Sequence, residues 1–219
     1  MISLRARLTA LAFVVAVAGC VADLNGPQIS KALTTAKPEM MGMVVASMGT
    51  LREDTPYKTY TLEFRDIRSK ETVFLPFNAF AVGGTPIDFR DGKADVALFA
   101  FQLPEGRYEL FNFELSTGGM KINTHRRMKD DISLPFDVKA GQVSYLGEFV
   151  SLPVYRQGGT EAFGGIWSVR DQQARDIQRA KQKLPGTSFE NVVATIPDVS
   201  TLRSSFFIRT IPNERIIIP

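Results

Sequence analysis

Gly106-Arg107-Tyr108-Glu109-Leu110-Phe111-Asn112-Phe113-Glu114-Leu115-Ser116 is the stretch that decides the fold. In an extended chain successive side chains alternate faces, so Tyr108 and Leu110 share one face while Phe111, Phe113 and Leu115 share the other. A bulge near Leu110 reconciles the two sets. The alternative is a strand covered on both faces, with a helix on one of them. Pro104-Glu105-Gly106 supplies the turn that opens the stretch.

The same period of two extends outward on both sides. In 58–67, Tyr60, Leu62 and Phe64 alternate with Thr59, Thr61, Glu63 and Arg65, as in a half-buried strand. Further β-rich runs occupy 71–80, 95–102, 132–139 and 142–152. Gly83-Gly84, Asp91-Gly92, Gly118-Gly119 and Ala140-Gly141 separate several of them. Segments 189–196, 204–210 and 215–218 read as additional extended pieces. Many short strands divided by turns predict a mainly β, antiparallel sandwich rather than a parallel sheet with crossover helices. One amphipathic helix is expected near residues 169–184. Ser168 and Asp171 form its capping box, Pro185-Gly186 end it, and Ala174, Ile177, Ala180 and Leu184 make a narrow apolar stripe.

The first nineteen residues have a different character. Arg5 and Arg7 precede the apolar run Leu8–Ala18, and Ala18-Gly19 place small residues before Cys20. Positive start, short apolar run and small cut site are the parts of a secretory leader. About eleven apolar residues form a helix of about 16 Å, half of a roughly 30 Å hydrocarbon core. The resulting division is leader 1–19, a polar tether 20–42 broken by Gly26, Pro27 and Pro38, and a single domain 43–219. A domain of this size buries about 70% of its unfolded surface.

Val17-Ala18-Gly19-Cys20 resembles the lipobox of bacterial lipoproteins, with Val where Leu is commonest. The resemblance implies a diacylglyceryl group on the Cys20 thiol and an acylated new amino end. Two or more chains hold a protein stably on a bilayer, where one holds it marginally. Val21 stands where lipoproteins kept in the inner membrane usually carry Asp. By the sorting pattern of that family, the expected location is the outer membrane, facing the periplasm.

Two further segments resemble bacterial outer-membrane lipoproteins with a transthyretin-like, or prealbumin-like, β-sandwich domain. Leu103-Pro104-Glu105-Gly106-Arg107-Tyr108 is similar to the L-P-x-G-x-Y corner of transthyretin-like and immunoglobulin-like sandwiches, in which the tyrosine hydroxyl bonds nearby backbone. Ala140-Gly141-Gln142-Val143-Ser144-Tyr145-Leu146-Gly147-Glu148-Phe149 is similar to a strand of such lipoproteins, and the likeness continues into the helix ending at Leu184-Pro185-Gly186. It covers roughly residues 96–186. It implies a fold and carries no catalytic residue.

Composition narrows the chemistry. Loss of Arg5 and Arg7 with the leader brings the formal charge from +3 to +1, which argues against nucleic acid or a polybasic membrane contact as the main partner. Cys20 is the one cysteine, and a lipid consumes its thiol. With one histidine besides, a zinc set of histidines and cysteines is excluded.

His125 lies in Thr124-His125-Arg126-Arg127-Met128-Lys129 and reads as a solvated loop residue, not an oriented base. Asp130-Asp131, Asp88 with Asp91, and Glu53-Asp54 lack the spacing of a calcium loop. Gly158-Gly159 and Gly164-Gly165 fit a wide hairpin better than a phosphate-binding loop. No cofactor, metal site or catalytic residue is expected.

The leading expectation is a non-enzymatic scaffold or interaction module of the cell envelope, attached to the membrane through Cys20 and acting on an envelope protein partner. The alternative is a glycan or small-ligand binding module with an aromatic surface of Tyr155, Phe163 and Trp167. Packing of Trp167 between strand and helix competes with that platform.

Overall fold

Alternating segments bury their apolar faces by pairing into two sheets stacked face to face. In the computed structural model residues 25–80, 82–118, 124–201 and 206–218 are described. The expected leader 1–19 and Cys20 lie outside the described residues. In chain order the first strands are β1 (Gln28–Ile29), β2 (Met41–Leu51), β3 (Thr59–Asp66), β4 (Thr72–Asn78), β5 (Phe89–Asp91), β6 (Ala94–Pro104) and β7 (Gly106–Ser116). They are followed by β8 (His125–Arg127), β9 (Leu134–Val138), β10 (Val143–Arg156), β11 (Ala162–Arg170), β12 (Val192–Ala194), β13 (Phe207–Ile208) and β14 (Ile216–Ile218). Helices α1 (Lys31–Thr34) and α2 (Gln173–Lys183) complete the regular elements.

The smaller sheet runs β1-β4-β3-β7-β8, with β9 also on β7; the larger runs β13-β11-β10-β2-β6-β5, with β12 and β14 also on β10. The chain is therefore mainly β, as its periodicity predicts. Pairing is antiparallel except where β10 meets β2, β12 and β14 and where β11 meets β13.

Tyr60, Leu62, Phe64, Tyr108, Leu110, Phe113 and Leu115 of the smaller sheet meet Val44, Ala46, Met48, Phe99, Phe149 and Trp167 of the larger in one core. Burying each large side chain contributes about 1.5–3 kcal/mol. The phase break in β7 is a bulge: Glu63 pairs with Asn112 but Phe64 with Leu110, leaving Phe111 as the extra residue. Its ring lies under Arg65, whose guanidinium carbon is 4.4 Å from the centroid. At the start of the same strand the Tyr108 hydroxyl donates to Pro104 O at 2.9 Å.

A second bulge shapes β10. The register against β2 moves from Tyr145 opposite Val45 to Glu148 opposite Ser47, and Gly147 takes φ +102°, a conformation that suits glycine. Leu146 and Phe149 both join the central core, while Tyr145 packs with the cluster on the opposite face, under α2.

That outer face of the larger sheet carries a third layer. Ile177 and Ala180 of α2 pack on Val45, Tyr145 and Phe189. At the other end Ile208, Ile211 and Ile216 cover Val96, Val150 and Leu152.

Two expectations are corrected here. The helix begins at Gln173, because Val169 and Arg170 continue β11 opposite Phe149 and Glu148. Ser168 is buried in the sheet and caps nothing; Asp171 Oδ1 accepts from Gln173 N at 2.9 Å, and Ala174 is exposed. Ladder bonds and burial of Val169 outweigh the local capping signal. The tether is also shorter than residue 42: β1 pairs with β4, Ser30 N donates to Thr72 O at 3.0 Å, and Leu33 is buried. Ile29 and Leu33 give this polar stretch enough apolar surface to hold it against the domain.

Candidate functional site

Strand β8 lies at an edge of the smaller sheet, with Arg126 opposite Leu115 and Arg127 opposite Glu114. Alternation sends the two arginines to different places. Arg127 forks onto Glu63 on the outer face, at 2.7 Å from Oε2. Arg126 reaches across the open side of the sandwich, and its Nε donates to Phe163 O of β11 at 3.2 Å.

Beneath Arg126 is an aromatic floor. Phe113 meets Trp167, Phe206 and Phe207 edge to face, with centroids 5.9, 6.0 and 6.1 Å away. The result is a groove of about 370 Å³ with Phe113, Phe163 and Phe206 inside it and Arg126 and Lys129 at its rim; Arg127 borders it, with its guanidinium turned to Glu63. Arg156 adds a further cation, 4.0 Å above the Phe163 ring. Among the described residues Arg126 and Lys129 form no ion pair. A basic rim over an apolar floor is complementary in charge and polarity to an acidic chain that carries aromatic or aliphatic side chains.

The three aromatics named from sequence do not form one surface. Phe163 is exposed, at 44%, and belongs to the groove. Trp167 is 0% exposed, so the expected platform is corrected: its position in β11 faces the core between the sheets. Tyr155 is buried, its hydroxyl hydrogen-bonded to Asp54 and its ring under Arg215 at 4.9 Å. Burial, with Asp54 beside it, pushes the Tyr155 hydroxyl up to about 12. It borders the end of the molecule where a cavity of about 440 Å³ lies between Arg52, Asp54 and Arg215.

His125 sits on exposed β8, Nδ1 2.6 Å from Glu114 Oε1, and nothing orients it toward a nucleophile. Asp54, Asp88, Asp91 and Asp131 among the candidate carboxylates are held by cations. Asp88 accepts from Arg179, Lys183 and Leu98 N, which together overcome its desolvation and hold it below the usual range. Asp131 accepts from Asn112 and Arg65 and is likewise lowered. Among the described residues no group of three or more His, Cys, Asp or Glu is placed to hold a metal ion.

Sequence reasoning missed the densest polar cluster. Glu148 and Asp176, both 0% exposed, lie between α2 and the larger sheet. Arg175 donates to Glu148 Oε2 at 2.6 Å and to Asp176 Oδ1 at 2.8 Å, and Arg170 binds Glu148 Oε1. Ser47 and Tyr145 donate to Asp176 Oδ2 at 2.6 and 3.0 Å. Burial raises Asp176 above the ordinary carboxylate range despite these donors. Burial and the neighbouring Asp176 raise Tyr145 too. Every carboxylate oxygen here has a donor, so the cluster pins helix to sheet and leaves no free base. Three-residue spacing of Tyr145 and Glu148 around Gly147 was the available signal.

Comparison with known proteins assigns no family. No protein-family description matches the chain, and no curated protein matches it. One solved structure, a leucine-rich repeat protein from Bacteroides thetaiotaomicron, is similar at 10% identity and a TM-score of 0.31. The similarity covers 52% of this chain and 14% of that protein. Among the described residues no helix is long and apolar enough to cross a membrane.

Proposed function

We propose that this protein is a lipid-anchored module of the cell envelope that works by binding, taking an acidic, aromatic-bearing segment of a protein partner into the groove between β8 and β11. The carrying observation is the placement of Arg126 and Lys129 at the rim of the floor of Phe113, Phe163 and Phe206. Charge gives the partner its sign, and the apolar floor gives affinity once that sign is matched. The Val17–Cys20 lipobox supports anchorage in the outer membrane with the domain in the periplasm.

A photo-crosslinking residue at Phe163 in the lipidated protein, in its own envelope, tests this reading. A discrete adduct that disappears when Arg126→Glu and Lys129→Glu are combined is the expected result. Adducts unaffected by that charge reversal, or none at all, overturn it.

A further inference from the structure

The described chain begins beside an apolar loop. Asn25 Nδ2 donates to Gly83 O at 3.3 Å, and Asn25 Oδ1 accepts from Asn78 Nδ2 at 2.9 Å and from Thr85 Oγ1 at 3.4 Å. The neck between β4 and β5 is closed by Thr85 N to Asn78 O and by Asn78 N to Thr85 Oγ1, both 2.8 Å. From this neck Val82 projects outward, at 91% exposed, and Phe80 at its base is 44% exposed with its ring toward Gly118. Gly83 turns the tip with φ +73°. Ile87, just past the neck, is also exposed.

Antiparallel pairing of β1 with β4 directs the chain, read backward from Gln28, toward this end of the sandwich. Only five steps separate Asn25 from Cys20, a reach of at most about 18 Å. A lipid on Cys20 therefore holds the loop within one extended pentapeptide of the bilayer. An exposed Val at the tip of a pinned loop, with a half-exposed Phe at its base, gains by leaving water for the acyl boundary.

We infer that Phe80 and Val82 insert into the lipid surface beside the Cys20 anchor, so that the domain stands on the membrane by this loop with a set orientation. The inference rests on the anchored reading above and adds a second membrane contact to it.

Cys20 is the chain's one cysteine and its thiol would carry the lipid, so an introduced thiol is uniquely reactive. Val82→Cys and Ile217→Cys, each labelled with an environment-sensitive fluorophore in the lipidated protein, are placed on phosphatidylethanolamine–phosphatidylglycerol vesicles. Both positions are exposed, and labels there leave the core intact. The expected result is a blue shift and quenching by spin-labelled lipid at position 82, with neither at position 217. A protein that floats with the vesicles yet shows no lipid quenching at 82 overturns the insertion while sparing the anchor. Shielding of position 82 from aqueous iodide without lipid quenching assigns the loop to a protein contact and equally overturns it. Failure to float removes the anchor and the inference together.

Discussion

Arg175 Nη2 lies 2.6 Å from Glu148 Oε2, joining the first turn of α2 to the middle of β10 through a part-buried arginine and a fully buried carboxylate. Removing the arginine leaves Glu148 with Arg170 alone and Asp176 with Ser47 and Tyr145, so the loss is that of charge-assisted hydrogen bonds rather than of all compensation. Arg175→Ala is expected to destabilise the domain by about 1.5–3 kcal/mol, read as a lower urea midpoint with an unchanged slope. A loss under 1 kcal/mol, on the scale of about 0–1 kcal/mol for exposed pairs, would mean that the cluster is solvated.

Acid and base dependence separates two carboxylates. Asp176 is raised when folded, so the folded state binds more protons than the unfolded chain between the ordinary 3.8 and Asp176's own value. Stability contributed through this group falls as pH rises across that window. Asp88 is lowered, so its contribution is present above 3.8 and lost as pH falls through its folded value. Urea midpoints across pH should lose the first slope in Asp176→Asn and the second in Asp88→Asn. Unchanged profiles in both variants would contradict these assignments.

Tyr108→Phe removes the hydroxyl that donates to Pro104 O while keeping the ring stacked on Phe136, 5.8 Å between centroids. A loss of about 1 kcal/mol is expected. Thermal unfolding would register it, and no change in midpoint would deny the corner bond a stabilising role.

Trp167 gives a test of its burial. Its Nε1 has no hydrogen-bond partner among the described residues, so Trp167→Phe should cost about 1–2 kcal/mol for lost volume, against about 3–5 kcal/mol for Trp167→Ala. Emission of this one tryptophan in the folded protein should resist iodide. Strong quenching before unfolding would place the ring at the surface.

Period-two patterning made the core strands legible, and the crowding of Tyr108, Leu110, Phe111 and Phe113 revealed the bulge, because face alternation leaves a local imprint. The corner bond of Tyr108 was legible through the resemblance of Leu103-Pro104-Glu105-Gly106-Arg107-Tyr108 to the corner of transthyretin-like sandwiches. What escaped depends on contacts distant in sequence. Ser168 and Asp171 look like a helix start, yet Val169 and Arg170 stay in β11 because Phe149 and Glu148 wait opposite them. Glu148 and Asp176 show nothing of their burial in the local sequence, which depends on Arg170 and Arg175 being brought to them. The groove needs β8 and β11 together; its basic rim was visible as Arg126-Arg127-Met128-Lys129, but its aromatic floor was not.

Strand β10 is flanked along one edge by β2 and then β14, and along the other by β12 and then β11. Its neighbours on one side thus come from segments far apart in sequence, Met43 to Thr50 and Ile216 to Ile218. A ribosome making this protein releases β10 before it releases β14, which covers the last residues of that edge. Until then Val154 to Arg156 offer an unpaired hydrogen-bonding template, and its closure waits for a loop of about sixty residues to come together. Completion of this edge is therefore a late event in synthesis, and loss of Ile216 to Ile218 would reopen it beside Val154 to Arg156.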